Sequence, residues 1–542
     1  MLATAESIST LIIEPQPGMR AQVRNMLALS GVQKVEFAVS AGAAVRKLRD
    51  QEFDLVLCEF HLGDGQDGQH LLEDLRQNAI IPLATVFIML TGERQYEKVV
   101  GAAELAPNDY ILKPFAAEAL FRRIARALEK RDALLPAYRA IERQDTPTAI
   151  ACCHEGRTRY PQWQLDFMRL EAELHIAVGE AVQAEQLYKR ILELRAVPWA
   201  RLGLAKSLFA QKRFSECEQI LESLVSESDQ FIDAYELLAR AREAAGQLDE
   251  ARDILAKAHT RSPYRVSRTR KLGELSLELG DPIQAEEKFS EVVRLAKYSD
   301  FRNPEDHVQL AAAQLQQGNM AAAETTVRDL ERSMAGLPTT SICTAMANAM
   351  LLDGRGDKQA AREALTKAMG DPENISRLSV ALKARLADTC LRNDLDGAAS
   401  QVALEMIRSR GDAGTLQTVR NMFARHDKTE LSGQLESQVQ QEVRALISTG
   451  AQKAKDGDFN GAVSEMMNAV RRLPGNPHVL FNAALALLRH IENCGWNEQF
   501  AEQARRLAEQ VRIHDPENTR LPALNEFRRS LLKKYGIAAT QP

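Results

Sequence analysis

Four polar residues close four apolar runs. Leu11-Ile12-Ile13 ends in Glu14, and Asp54-Leu55-Val56-Leu57-Cys58 ends in Glu59. Phe87-Ile88-Met89-Leu90 ends in Thr91, and Tyr110-Ile111-Leu112 ends in Lys113. A short apolar run with polar flanks is the pattern of a buried strand. In an open parallel sheet the C-terminal strand ends converge on one crevice. The spacing therefore predicts one pocket holding two carboxylates, a hydroxyl and an ammonium. Lys113 can pair with Glu59 there, and Thr91 can donate a hydrogen bond to it. A satisfied polar cluster at the strand ends is the plainer reading of the same four residues.

The segments between these runs supply the elements that would hold them. Arg20 to Leu29 is amphipathic, with Val23, Met26 and Leu27 on one side. Val35 to Val39 is strand-like, Ala43 to Arg49 helical, and Leu71, Leu72 and Leu75 form a helix stripe. The strand from Val86 to Leu90 is followed by helical runs near Tyr96 to Leu105 and from Ala116 to about Leu128, with the Asp109–Leu112 strand between them. Strands alternating with helices predict a parallel sheet covered on both faces.

Several motifs carry a resemblance. Asp-Leu-Val-Leu-x-acid, the Asp67-Gly68 turn, Thr91 at a strand end and Tyr110-Ile111-Leu112-Lys113-Pro114-Phe115 occur in one order and spacing. Over residues 8 to 130 the chain resembles the receiver domain of two-component response regulators. The resemblance implies a doubly wound, flavodoxin-like α/β domain over 1–131, with a phosphoacceptor, a magnesium site and a switch aromatic, here Tyr110. The family has two adjacent acids after its first strand, where this chain has Glu14-Pro15. The family's phosphoacceptor is an aspartate, where this chain has Glu59. Magnesium demands near-ideal octahedral geometry, and in-line phosphoryl transfer tolerates little misplacement. The expectation is a pseudo-receiver with a degenerate pocket of Glu14, Glu59, Thr91 and Lys113. A weak magnesium site at Glu14 and Glu59 stays open, and no other cofactor is expected. Glu59 imitates an acyl phosphate only in part, with one charge against roughly −1.5 to −2 for a phosphoryl group. Glu59 either fixes the domain near its active state or leaves it a docking surface without a switch; the second is favoured. The competing reading is a phosphorylation-competent regulator, with Glu59 tolerated or Asp64 taking the phosphoryl group. For Tyr110 alone, half-buried packing competes with a switching role. Asp64 and Asp67 in a Gly-rich loop could suggest calcium, but such acids serve turn geometry more often.

From 132 to 542 the pattern becomes helix, short turn, helix. The small residues Ala184, Cys217, Ala251 and Ala285 lie 33, 34 and 34 apart. Tyr188, Leu221, Leu255 and Phe289 follow four positions on, and Ala172, Ala205, Ala239 and Gly273 precede by twelve. Copies continue at Ala323, Ala361 and Ala399, blur over about 408–437, and return at Ala462 and Ala504. Repeats of this period form helical arrays whose units cannot bury their faces alone. The region resembles tetratricopeptide repeats, which implies an all-α solenoid of about nine units. Its groove implies protein partners. Candidate partner-binding residues are the cations Arg261, Arg265, Arg268, Arg270 and Lys271, set against a solvated helix turn, and Trp163 and Trp199, set against packing between hairpins.

Composition limits the remainder. The 542 residues carry a formal charge of −5, which argues against a general nucleic-acid binder. Seven scattered cysteines form no C-x-x-C pair, so a reducing, cytoplasmic setting is expected. No apolar run spans a membrane, no secretory leader is recognised, and no metalloprotease, nucleophile-elbow or phosphate-loop motif occurs. The expected protein is a non-enzymatic signalling adaptor. The resemblance also leaves open a homodimer through the receiver face at about Arg94 to Lys130.

Overall fold

The computed structural model describes residues 7–63, 67–92, 107–227, 231–263, 265–296, 302–370, 372–409, 413–515 and 518–537. The strands β1 (Thr10–Ile13), β2 (Val35–Ala38), β3 (Leu55–Glu59), β4 (Val86–Thr91) and β5 (Asp109–Leu112) form one parallel sheet in the order β2-β1-β3-β4-β5. Side chains alternate across a strand, and the two parities separate cleanly. Leu11, Ile13, Val56, Cys58, Phe87 and Met89 pack with Val45 and Leu48 of α2 (Ala41–Asp50) and Leu71 and Leu75 of α3 (Gly68–Gln77). Ile12, Leu55, Leu57, Ile88 and Leu90 pack with Val23 and Leu27 of α1 (Pro17–Leu29) and with Leu120 and Ile124 of α4 (Ala117–Glu142). Each fully buried Leu or Ile contributes about 1.5–3 kcal/mol, so a one-residue register slip would invert both layers. The expected helix at Tyr96 to Leu105 lies outside the described residues.

Helix α4 is longer than its sequence pattern to Leu128. Its first half closes the sheet core, ending at Leu128. Its second half supplies Ala133, Leu134, Ala137 and Ala140 to another core with Cys153, Trp163 and Phe167. The expected boundary at 131/132 falls inside this helix. By contact density the chain forms two compact units, Met1–Asp306 and His307–Pro542.

In the first unit, helical hairpins follow: α5 (Thr146–Arg159), a 3-10 turn at Pro161–Trp163, α6 (Gln164–Ala177), α7 (Ala181–Leu194), α8 (Pro198–Ala210), α9 (Phe214–Glu227), α10 (Ile232–Ala244), α11 (Leu248–Arg261), α12 (Val266–Glu278) and α13 (Pro282–Ala296). Helix α14 (Pro304–Gln316) carries the division between the units. The second unit continues with α15 (Met320–Ser333), α16 (Thr340–Gly354), α17 (Lys358–Ala368), α18 (Pro372–Ser376), α19 (Val380–Arg392), α20 (Asp396–Ser409), α21 (Ala413–Ala424), α22 (Thr429–Lys455), α23 (Phe459–Arg472), α24 (Pro477–Cys494), α25 (Glu498–His514) and α26 (Leu521–Lys534).

The periodic small and large residues meet as the pattern implies. A Cβ on Gly203 would lie 2.2 Å from the Tyr188 ring, and one on Gly273 would lie 2.7 Å from Phe289. The hairpin turn at Gly246 has φ +79°, a conformation that L side chains rarely adopt. Where it is described, the blurred stretch at 408–437 is helical apart from the turn at 425–428. Helix α22, 27 residues long, packs against α21 before it and against α23 and α24 after it. It thus ends one hairpin and begins the next, and the 34-residue spacing is lost there.

Candidate functional site

The strand register brings the four expected polar residues to one end of the sheet. Glu59 pairs with Leu90, and Thr91 with Leu112, so the third, fourth and fifth strands end nearly level. Glu14 follows β1, and its backbone N–H donates to the carbonyl of Ala38 at 3.0 Å. Glu14, Glu59 and Thr91 are all buried, and Lys113 is 21% exposed. The Lys113 ammonium bridges two carboxylates: Nζ donates to Glu14 Oε2 at 3.0 Å and to Glu59 Oε2. The remaining carboxylate oxygens are held by backbone. Glu14 Oε1 accepts from the N–H of Gln16 at 3.0 Å, and Glu59 Oε1 accepts from the N–H of His61 at 3.1 Å. Burial alone would depress the Lys113 pKa, but hydrogen bonds and charge from Glu59 and Glu14 outweigh it and raise it. Beneath the pocket, burial pushes the Cys58 thiol well above its ordinary value, and Glu59, Asp67 and Glu14 add to the rise. That thiol is inert as a nucleophile. Asp67 serves its turn: its Oδ1 accepts from the N–H of His70 at 2.8 Å and caps α3. Asp64 lies outside the described residues.

The comparisons match this arrangement. Residues 10–125 match the family model of the response regulator receiver domain, and residues 175–241 match that of the tetratricopeptide repeat. The chain carries a receiver domain and tetratricopeptide repeats. Chemotaxis protein CheY-3 of Vibrio cholerae is 28% identical over 125 residues, covering 23% of this chain and 95% of that protein. The KDP operon transcriptional regulatory protein KdpE of Escherichia coli is 25% identical over 191 residues, covering 35% of this chain and 82% of the relative. Among solved structures, a tetratricopeptide repeat protein from Parabacteroides merdae aligns with a TM-score of 0.37 and 14% identity, covering 49% of this chain and 98% of that one.

Tyr110 lies inward, and the receiver touches the repeats through it. The hydroxyl of Tyr110 donates to Gln69 Oε1 on α3 at 2.9 Å, and Gln69 Nε2 donates to Glu73 Oε1 at 3.3 Å. Glu73 Oε2 stands 3.1 Å from Arg265 Nε at the start of α12. The Arg265 N–H is not aligned for a hydrogen bond to it, so this last link is an ion pair. Three short steps therefore connect the receiver aromatic to the array. Nothing in local sequence signals the link, because Glu73 and Arg265 are far apart in the chain.

The five candidate cations of the array have internal contacts. Arg265 also reaches Glu236 at 2.7 Å, and Arg268 reaches Glu236 at 2.8 Å. Arg270 grips both oxygens of Asp306 at 2.6 and 2.9 Å, and Lys271 reaches Glu243 at 2.6 Å. The Arg261 guanidinium lies over the Tyr235 ring at 5.1 Å. Trp163 is buried in the core shared with α4, with Arg126 over its ring at 5.6 Å. Trp199 is half-buried under Arg169 at 5.1 Å. The receiver face from Arg94 to Lys130 lies partly outside the described residues. Among the described residues no three His, Cys, Asp or Glu side chains are grouped to hold a metal, and no helix is long and apolar enough to cross a membrane.

Proposed function

We propose that this chain is a non-enzymatic signalling adaptor of the cytoplasm: a pseudo-receiver over 1–131 joined to a protein-binding repeat array over 132–542. The observation that carries the reading is Lys113 held between Glu14 and Glu59. Two carboxylates share one ammonium, and the other oxygen of each accepts from a backbone N–H group. Magnesium fits this set poorly: Pro15 stands where the resembled family has a second acid, and both carboxylates present are engaged. A phosphoryl group entering at Glu59 would have to displace the ammonium from its carboxylate. Glu59 instead supplies a fixed negative charge, and the domain acts as a docking module.

The array holds the receiver through α4 and through the Glu73–Arg265 ion pair. Tetratricopeptide repeats generally mediate protein–protein contact, and here they would select the partner. Incubation of the full chain with acetyl phosphate and magnesium tests the receiver half. The expected intact mass is unchanged, and beryllofluoride should leave the melting temperature unmoved. A mass gain of one phosphoryl group overturns the pseudo-receiver. Capture with the full chain tests the other half; no specific protein above background overturns the scaffold.

A further inference from the structure

Among the described residues, the half-buried guanidinium of Arg385 in the second unit has no anion in ion-pair reach. Arg385 lies midway along α19, the first helix of its hairpin. Arg385, Asp388 and Arg392 are three and seven residues apart, so they share a helix face. The partners of the other two show where that face looks. Asp388 Oδ1 is 2.9 Å from His426 Nε2, just beyond α21, and Asp388 Oδ2 accepts from Arg392 Nη2 at 2.8 Å. Arg392 also stands 3.9 Å from Asp353 near the end of α16. The face therefore runs from α16 across α19 to the turn after α21 and touches three successive hairpins; arrays of this kind bind through the extended surfaces that such stacking creates.

Arg385 is half-buried there, and its Nε is sealed from solvent with no acceptor. The acid that acts on it, Asp388, is already shared by His426 and Arg392. Burial pushes the Arg385 pKa down to about 10, Arg392 adds to the fall, and Asp388 opposes it. The group is still cationic at neutral pH. Arg76 in the receiver makes the contrast: it too is lowered by burial, yet it donates to the Thr85 carbonyl at 2.8 Å. A buried cation without a partner is unfavourable, and native structures keep such groups rarely.

We propose that Arg385 anchors an anion site that takes a carboxylate from an acidic peptide segment of a partner protein. The planar guanidinium matches a carboxylate in shape and donor spacing. Asp388 adjoins the site with negative charge, which disfavours the continuous polyanion of a nucleic acid. The inference rests on the scaffold reading and deepens it by naming the chemistry at one point of the array.

The test uses the full chain and two fluorescein-labelled pools of short peptides, one of randomised Glu, Leu and Ala, the other with Gln in place of Glu. Anisotropy titration should show tighter binding of the Glu pool. Arg385→Met should cut that preference about tenfold or remove it, and Arg385→Lys should keep part of it. Arg420→Met, which removes an exposed cation paired with Glu436, should leave it unchanged. Without peptide, Arg385→Met should melt no lower than the parent. A lower melting temperature makes Arg385 a structural residue and overturns the site. A Glu preference that survives in Arg385→Met overturns it too. Equal binding of both pools also overturns it, while leaving the scaffold intact. Binding of neither pool overturns the site, and the capture experiment then decides the scaffold separately.

Discussion

The receiver and the repeat array dispose of their charges in opposite ways. In the receiver, one ammonium is shared by two carboxylates that arrive from strands far apart in sequence. In the array, several cations are matched by an acid on an adjacent hairpin, as Arg270 is by Asp306 and Arg408 by Glu442. A sheet gathers distant residues at its strand ends, so its chemistry is concentrated and internally satisfied. A solenoid links only neighbours, so its chemistry is spread out. An unmatched group such as Arg385 stands out against that background. The difference teaches where to look for function: in the receiver, at the strand-end pocket; in the array, at what the hairpins leave unpaired.

The sharpest way to break this contrast is to unbalance the receiver pocket. Lys113→Met leaves two buried carboxylates without their shared cation. Breaking one side of a buried charge network costs about 3–5 kcal/mol, measurable by urea unfolding of the full chain. The parent has its own pH signature. The Lys113 pKa is raised in the folded state. Its stabilisation is thus fully present below the ordinary lysine value and is lost as pH rises through the raised one. Lys113→Met should flatten that alkaline fall. A variant as stable as the parent at neutral pH would show that the three charges are not coupled.

The next largest effect sets the two regions' glycines against each other. Gly203 faces the Tyr188 ring with no room for a Cβ, whereas Gly42 in α2 has open space around its Cβ position. Gly203→Ala should destabilise by about 1–3 kcal/mol through overpacking. Gly42→Ala should stabilise by roughly 0.5–1 kcal/mol, because a helical alanine loses less freedom on folding. Equal effects at the two positions would mean that the repeats are not packed ring against glycine.

These glycines also show what could be read from sequence. The strands and the helices between them followed from short apolar runs and helical stripes, and the hairpins from small and large residues at a fixed period. Both are local patterns that packing simply completes. The receiver pocket was legible because strand ends must converge. That Glu14 as well as Glu59 would hold Lys113 was not legible, since it depends on side-chain reach. The ion pair between Glu73 and Arg265 was hidden because no periodicity links a receiver helix to a repeat. The lost period near 408–437 hid one long helix serving two hairpins. Arg385 gave no signal either, because lacking a partner is a property of the whole neighbourhood.

A smaller effect probes the link between the two regions. Glu73→Gln removes the charge facing Arg265 but leaves Glu236 in place. The pair is only half-buried, so the expected loss is about 1 kcal/mol or less. Hydrogen exchange should speed up in α3 and at the start of α12 and stay unchanged in α23. Exchange that rises nowhere would mean that Glu73 does not hold the receiver against the repeats.

The smallest expected effect comes from His70, beside that link on α3. Burial pulls its pKa down, but the hydrogen bond and charge of Asp67 outweigh burial, Glu73 and Asp74 add to the rise, and the net shift is upward. A raised folded-state pKa means that protonation stabilises the fold. The contribution is fully present below the ordinary histidine value of about 6.5 and is lost as pH climbs through the raised folded value. Between mildly acidic and mildly alkaline buffer the parent should therefore lose a fraction of a kcal/mol that His70→Gln does not lose. Histidines in the array, such as His259, whose pKa burial lowers, act alike in the parent and in His70→Gln, so the difference between the two proteins belongs to the receiver. If His70→Gln tracks the parent across the whole range, the imidazole is neutral in the fold. The Asp67 cap, which uses the backbone N–H of residue 70, then accounts for the contact by itself.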